Sequence, residues 1–171
     1  MRSKTLRIAR CALLAALAMV LSYIEGWFPP PLAIPLPGVK LGLANIVTLF
    51  ALYRLGSTDA LYILLTRCLL GALFAGNASA LLYATLGGLM AWLVMCLLCK
   101  VERFSVYGVS VGGAAAHNCG QILAAVLTLG NFAPLSYLPY LLFISVGSGA
   151  LTGALSAGLL RSAQRIRLEK G

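Results

Sequence analysis

The chain has 171 residues, of which 61% are hydrophobic and 10% charged, with a formal net charge of +9. A water-soluble domain of this size carries about a quarter charged residues, so lipid is the solvent this composition suits. The basic excess lies at the chain ends and in short loops rather than along one face, which excludes a nucleic-acid partner and points to membrane topology instead.

The expected elements are six apolar helical spans in one transmembrane domain covering residues 1–171. The first runs over 8–23, behind Arg2, Lys4, Arg7 and Arg10. A cleaved signal peptide is disfavoured there, because the sole Ala-x-Ala at Ala16–Ala18 falls inside the apolar run. Between spans one and two lies a segment from Glu25 to Lys40 with five prolines, which cannot be regular helix. On the outer side it serves either as a lid carrying Glu25 and Lys40 or as a rigid surface connector.

The second span, 39–53, is short, opens at Pro37-Gly38 and brings in Asn45. Short spans interrupted by Gly and Pro are pointers to a binding site. The third, 59–75, carries Arg67 roughly 12 Å into the membrane at about 1.5 Å per residue. A guanidinium at that depth faces the bundle interior or a water-filled cavity, unless it snorkels to the cytoplasmic surface. It needs an anion, and no acid of this chain is expected at its depth: Glu25 reads as near the outer surface, Asp59 and Glu102 as near the inner.

Asn77 follows at the outer end of span three, and the fourth span covers 79–99. The fifth, 108–129, places Ser110, Ala114, His117, Gln121 and Thr128 on one stripe, with Asn118 flanking. Each asparagine is also open to a simpler use as glue between helices. Gly108, Gly112, Ala116, Gly120 and Ala124 make a ridge of small residues at spacing four, as do Ser145, Gly149, Gly153 and Ala157 in the sixth span, 138–160. Such ridges let backbones approach closely in lipid. Ala12 and Ala16 mark a similar ridge in span one, where it is the better candidate for a partner surface.

Six spans put both ends on one side. Arg54, Lys100, Arg103, Arg161, Arg165, Arg167 and Lys170 join the four basic residues of the N-terminus on that side, which the positive-inside rule makes cytoplasmic. The five cysteines lie in apolar runs and imply no disulfide framework, and the Cys96-Cys99 pair has no second pair or nearby His to build a metal site. His117 alone would be a poor haem anchor, so no cofactor and no metal are expected. No GxxxxGK[ST] loop is present, and one aspartate with three glutamates are too few to hold Mg²⁺ against a diphosphate. No catalytic residue is assigned, and the chain reads as a non-enzyme.

The string Pro37-Gly-Val-Lys-Leu-Gly-Leu-Ala-Asn45 behind Glu25, Arg67 with the residues to Asn77, and His117-Asn-Cys-Gly-Gln121 together resemble the motifs of a bacterial family. It is labelled heptaprenyl diphosphate synthase component I and also called the Gx transporter family. The likeness covers nearly the whole chain. It implies a fold similar to the S-components of energy-coupling factor transporters, six-helix proteins of the bacterial plasma membrane that capture small solutes from outside. By the same resemblance Ala12 and Ala16 contact a transmembrane coupling subunit served by ATPases.

Two functions follow as expectations. One is an S-component-like subunit that binds a small anionic or polar solute with Arg67, His117, Asn118, Gln121, Asn45 and Asn77. The other is a non-catalytic membrane subunit serving isoprenoid or quinone metabolism or membrane electron transfer. They differ in that a binder needs a polar pocket, whereas an anchor satisfies its polar groups internally.

Overall fold

The computed structural model describes residues 2–27 and 42–168. These form six α-helices and one short 3-10 turn, with no strand among the described residues: α1 Arg2–Glu25, α2 Asn45–Arg54, α3 Ser57–Ala75, α4 Ala78–Leu98, α5 Val106–Leu129 and α6 Leu138–Leu168, the turn Ala133–Tyr137 preceding α6. Lys40 and most of the proline-rich segment lie outside the described residues.

Among the described residues four stretches are long and apolar enough to cross a membrane: Lys4–Glu25, Ser57–Ala75, Ala78–Leu98 and Ala133–Arg165. The protein is thus a helical membrane protein. Its outward surface agrees, since Phe74 and Phe143 stand 81% and 80% exposed and apolar side chains cover the outside of the bundle. Such a surface is costly in water and ordinary in lipid.

Two of the six expected spans differ from that pattern. Helix α2 has 10 residues, about 15 Å of axial rise against a hydrocarbon core of about 30 Å. It starts at Asn45 rather than Val39 because Gly42 sits at φ +86, a left-handed conformation that no helix can continue through. Helix α5 has the length, but His117, Asn118, Gln121 and its glycines dilute its apolar character. Helices α1 and α6 run beyond the expected 8–23 and 138–160, since no glycine or proline stops them in their polar extensions.

Helix α5 is the centre of the bundle, packed between α4 and α6, while α1, among the described residues, leans on α2 and α3. The small-residue ridges explain this. A Cβ added at Gly120 would lie 2.5 Å from the Leu86 carbonyl oxygen and 2.8 Å from Gly87 Cα, and one at Gly149 would lie 2.5 Å from Val111 Cα. Backbone therefore touches backbone at both α5 interfaces, the packing mode open to helices already in lipid.

Polar residues fasten the same seams. Ser110 and Thr152 share a hydroxyl hydrogen bond of 2.7 Å between α5 and α6, and Tyr83 and Thr128 share one of 3.2 Å between α4 and α5. Ser156 donates to the Ile46 carbonyl at 3.3 Å, tying α6 to α2. At the other end of α1, Arg7 donates through Nε to both Asp59 oxygens at 2.8 and 2.9 Å and through Nη2 to Oδ1, clamping α1 to the first turn of α3. Asp59 is nearly buried there and complements the positive end of the α3 dipole.

Candidate functional site

Arg67 stands ten residues into α3, about 15 Å from its start, and His117 about 16 Å into α5. Both are near the middle of their helices, and both line one cavity of about 120 Å³. The cavity is walled by the end of α1 with Ser22 and Glu25, by Gly42 ahead of α2, by α3, by the first half of α4, and by His117 and Gln121 of α5. Arg67 is 8% exposed. Its Nη1 donates to Ser22 Oγ at 3.4 Å, and its Nε and Nη2 are buried with no hydrogen-bond partner among the described residues. Snorkelling to the surface does not occur.

Glu25 is buried beside it, although the sequence puts this acid at the outer surface. Because α1 continues without a break to Glu25, the side chain reaches the start of α2 and accepts the Gly42 N–H at 2.5 Å and the Leu43 N–H at 3.1 Å. These amides precede the first turn of a helix, where donors lack intrahelical partners and negative charge is favoured. Glu25 therefore acts as a long-range cap that holds Gly42 in place.

Gly42 in turn packs on the imidazole. A Cβ there would lie 2.8 Å from Asn45 Nδ2 and 3.2 Å from His117 Cδ2, and its positive φ independently calls for glycine. On the other side of the ring, a Cβ at Gly87 would lie 2.9 Å from His117 Cε1 and 3.0 Å from Nδ1. His117 is thus seated between two glycines, one ahead of α2 and one in α4. The neighbouring Gly88 leaves the space beside Arg67 Nη2, 3.4 Å from where its Cβ would be.

The expected site residues separate into two groups. Arg67, His117, Gln121 and Glu25 come together at the cavity. Asn45 is buried just behind Gly42, with neither side-chain atom partnered. Asn118 faces the other way and donates to the Leu141 carbonyl at 2.9 Å, joining α5 to α6. Asn77 is exposed and caps α4 by accepting the Ser79 N–H at 2.9 Å. Ala12 and Ala16 are exposed on α1, and Ala12 lines a broad groove of about 650 Å³ between α1 and α3.

Sequence reasoning missed Ser22, Gly42, Cys68 and Gly87 as cavity neighbours. Gly42 stood inside the quoted Pro37 to Asn45 string, so a glycine flanked by apolar residues just before a helix was the available signal. Gly87 had none, because a glycine inside an apolar helix does not show in the sequence what another helix packs on it.

The sequence profile of the family described as heptaprenyl diphosphate synthase component I matches residues 14–159. The chain belongs to that family. The match takes in every wall of the cavity, from Ser22 to Gln121. Neither a curated protein nor a solved structure matches the chain. Membership in the heptaprenyl diphosphate synthase component I family carries a subunit's name, and the acids Glu25 and Asp59 are each committed to a structural contact here.

Proposed function

We propose that this chain is a solute-binding membrane subunit which takes a small anionic or polar solute from outside and holds it against Arg67, His117 and Gln121. The observation that carries the reading is the guanidinium of Arg67, which lines a cavity with two buried nitrogens unpartnered. A charged group left unsatisfied inside a membrane bundle is costly, and a ligand's anionic group relieves that cost. Glu25 contributes by keeping Gly42 against His117 and thereby the imidazole in place.

In this reading the chain spans the bacterial plasma membrane six times, with both ends cytoplasmic, and α5 and the short α2 complete the set of spans. Transport energy comes from ATPases through a transmembrane coupling subunit docked on α1 at Ala12 and Ala16, as the resemblance to S-components implies. The exposure of both alanines beside the α1–α3 groove supports that surface.

The family's description favours a second reading, a non-catalytic subunit for isoprenoid or quinone metabolism. That role predicts polar groups satisfied by one another, and the bare nitrogens of Arg67 count against it. Mass spectrometry of small molecules copurifying with the native protein and with Arg67→Leu tests the choice. A solute enriched in the native sample and lost in the variant is expected. A native protein that carries and binds no solute would refute capture.

A further inference from the structure

The surroundings of the guanidinium narrow the class of solute. Of the three nitrogens of Arg67, Nη1 is turned to Ser22, which leaves Nε and Nη2 bare. Those two form the side-on edge of the guanidinium, from which two parallel N–H groups emerge in a fixed fork. The complement of that edge is a pair of oxygens held in one plane, as in a carboxylate or an oxyanion of phosphorus or sulfur.

Two features separate these anions. Glu25 lines the same cavity and accepts two backbone N–H groups, so a dianion would bring more negative charge toward this acid than a monoanion does. Beyond Arg67 the cavity wall from α3 and α4 is Gly71, Ala72, Ala75, Ala80 and Ala84, with the Cys68 thiol as a weak donor, whereas Ser22, His117 and Gln121 line the other walls. An oxygen of a tetrahedral oxyanion turned toward the α3–α4 wall would meet methyl groups and find only the weak Cys68 thiol as a donor there. A carboxylate has its oxygens at one end and its carbon chain at the other, matching a fork on one side and alanine on the other. A cavity of about 120 Å³ is small, which favours a chain of a few carbons.

We propose that the cavity binds a short-chain monocarboxylate, its two oxygens on Nε and Nη2 of Arg67 and its alkyl group against the alanine wall of α3 and α4. This rests on the reading of the chain as a solute-capturing subunit.

The test is calorimetric titration of the full chain, purified in detergent without carboxylate buffers. The probes are acetate, propionate, butyrate, hexanoate and decanoate, with propionamide, phosphate and sulfate as comparisons. Saturable binding with an optimum at two to four carbons is expected, with propionamide at least about tenfold weaker because it lacks the charge that the fork pairs with. Arg67→Lys, checked for native helicity, should weaken propionate about tenfold, because an ammonium keeps the charge and loses the fork.

Phosphate or sulfate binding as tightly as propionate, affinity rising steadily through decanoate, or an unchanged Arg67→Lys would each overturn the proposal. If no acid binds but another solute copurifies in an Arg67-dependent way, the monocarboxylate assignment fails and solute capture stands. If no solute of any class binds, both fail. The comparison of propionate with propionamide on the native protein reads the charge requirement even where a variant does not fold.

Discussion

Gly87→Ala is the sharpest perturbation of the site that leaves every polar group in place. The added methyl would lie 2.9 Å from Cε1 and 3.0 Å from Nδ1 of His117, and 3.1 Å from Gln121 Cγ. Carbon contacts are comfortable at about 3.5 Å or more, so the imidazole must retreat by about 0.5 Å or the helices must part. Parting is resisted because Gly120 already brings α5 against the Leu86 and Gly87 backbone. Retreat toward the opposite edge of the ring meets Gly42, which Glu25 holds from behind.

Overpacking of this kind costs about 1–3 kcal/mol, and the displaced His117 and Gln121 should also weaken solute binding. His117 is the only histidine of the chain, so protein labelled in histidine rings gives one imidazole spectrum, and its resonances should move. Unfolding in detergent measures the stability. Gly88→Ala is the control, since its methyl meets the end of the flexible Leu64 side chain at 3.0 Å. An imidazole spectrum identical to native in Gly87→Ala, with stability within about 0.5 kcal/mol, would refute the two-glycine seat.

Glu25→Ala should destabilise the protein by about 1–3 kcal/mol, because it strips the acceptor from two backbone amides; faster hydrogen exchange at Gly42 and Leu43, with Glu25→Gln milder, checks it. Asn118→Ala removes the bond to Leu141 and should cost about 1–3 kcal/mol in unfolding while solute affinity holds, whereas Gln121→Ala should lower solute affinity. A bulky residue at Ala12 or Ala16 meets open surface, so stability and solute binding should be native while copurification with a coupling subunit falls. Undiminished copurification would move the partner surface off this face of α1.

The helical elements were legible in the sequence because lipid imposes a strong rule. Backbone groups must pair within the segment, so apolar length alone marks α3 and α4 within two residues and the apolar parts of α1 and α6 without their polar extensions, and the ridges of α5 and α6 announced backbone packing that Gly120 and Gly149 then make. Arg67, His117 and Gln121 could be singled out because polar groups at mid-helix depth are costly, and these three do share a cavity.

Tertiary structure alone decided how the polar groups are used. Asn118 lies next to His117 in the chain, yet a rotation of about 100° per residue turns it to α6, where the Leu141 carbonyl accepts its N–H. Asn77 sits at a turn whose next helix needs a cap, so its side chain is taken locally. Glu25 reads as a surface acid because its depth depends on where α1 ends and on the amides that wait there, which are distant in sequence. Likewise the importance of Gly42 and Gly87 comes from a ring on a third segment, and spacing along one helix carries no record of what another helix brings against it.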